Sequence, residues 1–241
     1  MKIKNSLIIL AALSLISCNE TEINPLEKLL LEFKIEDLSY KYSYNENNRL
    51  QRLTYPNGAY YLYQYEKMAV TEDFYSKDDE KVQTSLLSLN ESGFVKYSYS
   101  YNLLTQDTIY SEYLYYPDDR LLSEKITGKN HSYIYYYDRN EKGNIEYFYQ
   151  EYDDTSLSIP QKTEHTLEYS NTPNKLNFEQ RRINLYGLPT PDLRSEDVTD
   201  KVTIKFNYEF DSEGYITKRL GLYYVNDSLV DSLQINLKYN Y

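Results

Sequence analysis

The chain has 241 residues, with 26 basic against 37 acidic side chains and a net charge of −11. That is long enough to bury a core without disulfides, and the wrong charge for a nucleic-acid binder, which gains its affinity by neutralising phosphates with Lys and Arg. Thirty-one tyrosines, no tryptophan, seven glycines and seven prolines point to β structure, because a tyrosine ring fits a pleated, half-buried surface while its hydroxyl stays wet.

At the amino end Lys2 and Lys4 precede an uncharged apolar stretch from Leu7 to Leu15, and small Ser17 stands before Cys18, the only cysteine. This is the layout of a secretory signal. Leu15, Ile16, Ser17 and Cys18 resemble a lipobox, which implies diacylglycerol on the Cys18 thiol, removal of residues 1–17 and acylation of the new amino group. The apolar run is shorter than the roughly 20 residues a membrane helix needs. One acyl chain binds a bilayer only marginally, at about 0.8 kcal/mol per buried methylene, so several chains on one residue make a stable anchor. Loss of Lys2 and Lys4 with the leader leaves the mature chain more acidic still. Asn19, Glu20, Thr21 and Glu22 resemble the surface-export tag of Bacteroidota lipoproteins. The expected organisation is a leader at 1–17, a tether at 18–24 and a single antiparallel β domain at 25–241.

Asn24 and Pro25 can open a short helix through Leu26, Leu29, Leu30 and Phe33; alternatively Leu31, Phe33 and Ile35 alternate as a first strand. Period-two runs follow at Tyr40, Tyr42 and Tyr44, at Tyr61, Tyr63 and Tyr65, at Tyr97, Tyr99 and Tyr101, at Tyr113 and Tyr115, and at Tyr133, Tyr135 and Tyr137. Tyr147 with Tyr149, then Phe206, Tyr208 and Phe210, keep the spacing, and Leu237, Tyr239 and Tyr241 make the terminus a paired strand. Segments 155–162 and 186–200 lack periodicity and carry Pro160, Pro189 and Pro191, which reads as two loops. Arg181 and Arg182 read as strand residues, at least one of them facing water.

Between the runs a unit recurs about six times: a pair at i and i+2, an Asn or Asp, a polar stretch often with Gly, and an aliphatic restart. Tyr42, Tyr44, Asn45, Asn48 and Leu50 form one copy; Leu87, Leu89, Asn90, Gly93 and Val95 another. Tyr113, Tyr115, Asp118, Asp119 and Leu121 follow, then Tyr135, Tyr137, Asp138, Gly143 and Ile145. Tyr169, Asn171, Asn174 and Leu176 are a weaker copy, and Tyr208, Phe210, Asp211, Gly214 and Ile216 a clean one. Asx side chains hold local backbone and Gly supplies positive φ, so each unit reads as a hairpin.

The unit is similar to the tyrosine-aspartate repeats of Rhs-type proteins. From Asn174 to Leu176, and through Tyr208, Asp211, Gly214 and Tyr215, the chain looks like a Bacteroidota lipoprotein family of uncharacterised function, which implies a porin-like antiparallel β fold. The expected fold is all-β: a large curved antiparallel meander of repeated hairpins, open or barrel-like, with at most one short N-terminal helix. The hydroxyl-bearing stripes argue against lipid-spanning strands, which carry apolar residues at every second position with aromatics confined to girdles.

Catalytic signatures are absent from the sequence. His131 and His165 stand in no zinc-ligand spacing, no nucleophile elbow or phosphate loop occurs, and no cofactor, metal or catalytic residue is assigned. Asp78, Asp79 and Glu80, Asp118 with Asp119, and Asp153 with Asp154 could hold calcium or act as paired acids on a glycosidic bond; each is read as a turn cluster capping backbone. The expected role is a lipid-anchored outer-membrane protein, on the surface or periplasmic face, that binds glycan or peptide through an aromatic sheet face without catalysis. The rival is a structural or assembly lipoprotein contacting envelope proteins, and a hydrolase comes third.

Overall fold

The computed structural model describes residues 29–129, 131–154, 161–175, 185 and 191–239. Within them sixteen strands follow one another. The first eight are β1 (Leu30–Ile35), β2 (Leu38–Tyr44), β3 (Leu50–Thr54), β4 (Tyr60–Tyr65), β5 (Ala69–Tyr75), β6 (Lys81–Leu89), β7 (Val95–Asn102) and β8 (Thr108–Tyr115). The second eight are β9 (Leu121–Thr127), β10 (His131–Arg139), β11 (Ile145–Asp154), β12 (Gln161–Pro173), β13 (Asp192–Val198), β14 (Thr203–Phe210), β15 (Ile216–Val225) and β16 (Ser228–Tyr239). Each pairs antiparallel with its chain neighbours. β16 returns to β1 through Leu30↔Tyr239, Phe33↔Leu237 and Ile35↔Ile235, closing the sheet into a barrel. Closure leaves no unpaired sheet edge.

One open alternative is decided and two expectations change. The amino-terminal segment is strand from Leu30, because Phe33 lies between Tyr40 and Leu237 as cross-strand neighbours and is buried there; residues 25–28 of the expected helix lie outside the described residues. The weak fifth repeat makes no tight hairpin, since Tyr169 and Asn171 lie inside β12, which runs on to Pro173. Segment 186–200 is only partly loop, because 192–198 is β13, paired on both sides.

The other hairpins share one turn. In 45–49, 90–94, 140–144 and 211–215 the first residue's N–H donates to the fifth residue's carbonyl and the fourth N–H returns to the first carbonyl. The fourth residue takes positive φ: Asn48 at 57°, Gly93 at 84°, Gly143 at 87° and Gly214 at 82°. Side chains lock the loop. Asn45 Oδ1 accepts from Asn47 N and Arg49 N at 3.0 and 2.9 Å, and Asp211 Oδ1 from Glu213 N and Tyr215 N at 2.9 Å each. An Asx at the first position thus locks these four loops, and the fourth position takes a residue that tolerates positive φ; the 116–120 turn has the same two backbone bonds with Tyr116 first and Asp119 at 64° fourth.

The tyrosine that ends the unit has its own partner. Tyr44 Oη donates to the Leu30 carbonyl, Tyr65 Oη to Leu50, Tyr115 Oη to Val95 and Tyr239 Oη to Ile216, at 2.6 to 2.9 Å. In each case the last tyrosine of an even-numbered strand reaches the first residue of the strand before it. The hydroxyl satisfies a carbonyl at the barrel's base, where Leu30, Tyr239 and the 45–49, 90–94, 116–120, 140–144 and 211–215 turns lie, while the ring fills the interior. Such a bond contributes about 0.5–1.5 kcal/mol net, and more is lost if the buried acceptor is left bare.

One side-chain stripe runs around the whole barrel in register: Phe33↔Tyr40, Tyr42↔Leu53, Tyr61↔Phe74, Val70↔Leu87, Ser98↔Ser111, Phe148↔His165 and Arg219↔Ile235. The core cluster lies on it, so this stripe faces the axis. Near the base it is sealed by Leu50, Val70, Leu87 and Val95, each at most 2% exposed. A fully buried aliphatic of this size contributes about 1.5–3 kcal/mol. Leu185 packs against the floor as well, its carbonyl accepting from Val95 N of β7 at 2.6 Å. Towards the opposite end, the mouth, the stripe emerges: Phe74, Gln83, Ser100, Ile126, Tyr133, Tyr152, Ile204 and Tyr223 are part-exposed and Ile109 is exposed. Sixteen strands enclose more width than one layer of side chains fills. The barrel is a cup with a packed floor and an open mouth.

The outer wall is polar. Lys162 pairs with Glu164 at 2.7 Å, Lys218 with Glu209 at 2.8 Å and Lys81 with Asp73 at 2.7 Å. Lys34, Lys41, Lys125 and Lys205 are also exposed there. Each Lys or Arg facing the midplane of a bilayer would cost about 2–4 kcal/mol; together they make this wall a water-facing one.

Candidate functional site

The part-exposed interior is not uniform. On the wall built by β11 to β15, alternation turns His165 inward from β12 opposite Phe148 of β11, and the two rings stack at 4.0 Å with 12° between their planes. His165 Nδ1 lies 2.9 Å from Asp197 Oδ1, and Arg194 Nη1 donates to Asp197 Oδ2 at 3.0 Å. A bulge brings these β13 partners to one face: Glu168 faces Glu196 but Tyr169 faces Arg194, so Ser195 is skipped and Arg194 shares Asp197's side. Asp197 is buried and thus doubly engaged, while His165 and Arg194 keep 21% and 18% side-chain exposure.

Phe206 of β14 continues the wall. The Arg219 guanidinium lies over its ring at 4.7 Å and that of Arg194 at 6.0 Å. Gly221 faces Phe206 across the β14–β15 pair. Cations over aromatic faces gain about 0.5–2 kcal/mol, more as water is excluded. The patch therefore brings two guanidinium groups, an imidazole and two flat rings together around a single carboxylate. It can hold charge and stack planar or ring-shaped groups.

Of the residues singled out in the sequence, Cys18, Arg181 and Arg182 lie outside the described residues. His131 is at the mouth, edge-on to Tyr133 at 5.5 Å and far from the β12 site of His165 in the fold. The acidic clusters stay apart. Asp78, Asp79 and Glu80 lie in the 76–80 turn, where Asp79 accepts from Tyr60 Oη at 3.0 Å. Asp118 and Asp119 lie in the 116–120 turn; burial pulls the Asp118 carboxyl up, but the Arg120 backbone and guanidinium bonds outweigh it and hold the group below its usual range. Asp153 and Asp154 end strand β11 instead of forming a turn. Among the described residues no three His, Cys, Asp or Glu side chains gather as metal ligands. Sequence reading missed Arg194, Asp197 and Arg219. Arg219 alone carried a signal, as a charge in phase with Gly221 and Tyr223.

The tyrosines divide between the faces. The period-two tyrosines of β2 (Tyr40, Tyr42, Tyr44), β4 (Tyr61, Tyr63, Tyr65), β8 (Tyr113, Tyr115) and β10 (Tyr133, Tyr135, Tyr137) point inward, while Tyr60, Tyr110 and Tyr136 face out. In β7 the phase is reversed: Ser98 and Ser100 face in, Ser100 Oγ bonding Ser85 Oγ at 2.8 Å, and Tyr97, Tyr99 and Tyr101 face out. Leu86, Tyr99 and Tyr110 are direct cross-strand neighbours on the outer wall, 50%, 52% and 42% exposed, and Leu114 is 51% exposed. This patch is convex and broad.

No protein-family model matches the chain, and no curated protein matches it. Solved structures do. A porin-like protein from Bacteroides uniformis superposes with a TM-score of 0.66 at 14% identity, over 87% of this chain and 95% of that one. The fold is porin-like. A second porin-like protein, from Bacteroides vulgatus, gives 0.64 at 12% identity, over 89% and 99% of the two chains. The expected likeness to a porin-like antiparallel fold holds at the level of architecture, and the closed barrel is shared across nearly the whole of both neighbours.

Proposed function

We propose that this is a noncatalytic binding protein of the cell envelope, carried on lipid at Cys18, that takes a glycan or peptide against the aromatic inner wall of its barrel. The observation that carries the reading is the passage of the inward stripe from buried at the base to part-exposed at the mouth, with aromatic side chains at both levels. A concave apolar surface with a few convergent polar groups is the usual form of a ligand site. The porin-like neighbours are consistent with an envelope protein, and the leader resembling a lipobox supplies the route there.

A second reading is favoured by the outer patch of Leu86, Tyr99 and Tyr110: an assembly protein that docks another envelope protein through this convex face. Closure of the barrel removes the alternative of pairing through a free sheet edge.

A glycan array and a peptide library probed with protein beginning at Asn19 separate the two. Binding that is lost when Tyr133 and Tyr152 are both changed to Ala, and kept when Tyr99 and Leu86 are changed to Ser, supports the inner wall; the opposite pattern supports the outer patch. The anchor is tested separately. Cys18→Ala should release the protein from the membrane fraction, and a Cys18→Ala protein that still sediments with membranes would remove the lipid from the proposal.

A further inference from the structure

Among the described residues the inner wall of β11 to β15 gathers two guanidinium groups and an imidazole, in a chain that is acidic overall. Arg194 and Arg219 contribute two guanidinium groups to the neighbourhood of Phe206, and His165 adds an imidazole stacked on Phe148. Asp197 is the one carboxylate in that contact chain, and its two oxygens go to His165 and Arg194. Arg219 extends the positive charge beyond that pair, on the far side of the Phe206 ring. Acidic groups of the interior lie on other strands: Glu72 is on β5, buried, and Glu124 is on β9.

From this arrangement we infer that the wall selects an acidic saccharide, one whose sugar ring carries a carboxylate. Guanidinium groups bind carboxylates by charge-assisted, often bidentate hydrogen bonds, and the ring faces of Phe148 and Phe206 suit the flat apolar side of a sugar. A peptide is the weaker candidate, because extended peptides are held mainly by main-chain bonds to a sheet edge and the closed barrel offers none. The inference rests on the inner-wall reading above and names its ligand class.

Calorimetry on the mature chain with an oligogalacturonate and with a neutral galacto-oligosaccharide of equal length tests it. The acidic sugar should bind about tenfold or more tightly than the neutral one, the scale of one charge-assisted hydrogen bond. Arg219→Gln should bring the acidic sugar's affinity down towards the neutral sugar's and so erase most of that preference. Arg219→Lys, which keeps the charge, should retain part of the preference, and Lys205→Gln, which removes a cation from the outer wall, should change nothing. Equal affinity for both sugars in the unaltered protein, or an Arg219→Gln protein that melts normally and still prefers the acidic sugar, overturns the charge selection and leaves the inner-wall site standing. No heat with either sugar overturns the site itself.

Discussion

Tyr239 on the last strand donates its hydroxyl to the carbonyl of Ile216, the first residue of the strand before it, at 2.6 Å, in a buried position beside the Tyr215 ring. The same relation joins Tyr44 to Leu30 and Tyr65 to Leu50. It ties β2, β4, β8 and β16 to the start of the strand before each at the base, where the shared turns lie. Tyr239→Phe keeps the ring and strands the carbonyl, so it should destabilise the barrel by about 1–3 kcal/mol. Urea unfolding of that variant beside Tyr99→Phe, whose ring is half-exposed on the outer wall, checks it. An equal, negligible cost at both positions would show the base hydroxyls to be ornamental.

These buried phenols also set an alkaline limit. Desolvation pushes Tyr65 up to about 12 from an ordinary 10, and raises Tyr44, Tyr137 and Tyr239 likewise. A phenol whose folded value is raised holds its proton longer in the folded chain than in the unfolded one, so stability falls once the pH climbs past the unfolded value. The stabilisation is whole below pH 10 and is lost as the pH passes through the folded values. Unfolding followed by circular dichroism should therefore be cooperative above pH 10, with part of the tyrosinate absorbance appearing only together with loss of structure. Full tyrosine ionisation in a barrel that remains folded would contradict this.

Two glycines make a paired test of the turn argument. Gly93 has φ of 84° and open space where a Cβ would stand, so Gly93→Ala meets only backbone strain. That should cost about 1–2 kcal/mol. Gly221 is extended, and a Cβ there would touch Phe206, Tyr223 and Ile204 at 3.6 to 3.7 Å, ordinary contact distances. Gly221→Ala should be neutral or slightly stabilising through the unfolded chain. Thermal melts of the two variants should move in different directions or by clearly different amounts.

The strands and turns were readable because their causes are local. Period-two tyrosines and an Asx four residues before its closing partner act within a few positions, as Asn45 with Arg49 and Asp211 with Tyr215 show. β13 was not readable. Its sequence DLRSEDV has only Leu193 and Val198 as aliphatics, and the bulge at Ser195 breaks the alternation that would have marked Arg194 and Asp197 as sharing a face. Nor could the direction of β7 be read, since serines alternate with tyrosines there and either set could face in; the cross-strand partners Leu87 and Ser111 decide it for Ser98. Closure between Phe33 and Leu237 is a pairing across nearly the whole chain, and no local pattern encodes it. The charged inner patch inherits all three difficulties, because its members come from five strands.

The outer wall predicts behaviour in solution. Its ion pairs and lysines should keep protein beginning at Asn19 monomeric and soluble without detergent, and absent from lipid vesicles that lack a bound partner. The exposed Leu86, Tyr99 and Leu114 are the weak point of that surface. Changing Leu86 and Leu114 to Ser should raise solubility while leaving the urea midpoint nearly unchanged, because both side chains are already half in water. Sedimentation and vesicle flotation measure this, and spontaneous insertion into vesicles would refute the water-facing assignment.

Asp197 is where stability and the inner site meet. It is buried and holds His165 at 2.9 Å and Arg194 at 3.0 Å. Asp197→Asn keeps the shape but removes the charge that balances a largely buried guanidinium. Breaking a buried pair from one side costs about 3–5 kcal/mol, whereas replacing all its members with apolar groups of like volume is often neutral. Partial exposure of His165 and Arg194 puts the expected loss for Asp197→Asn at about 3 kcal/mol, at the low end of that range. The combination Asp197→Leu, Arg194→Met and His165→Phe should regain most of it. If instead the triple variant is the less stable of the two, the network contributes net stability of its own, and the charged wall is there to hold the barrel together as well as to meet a ligand.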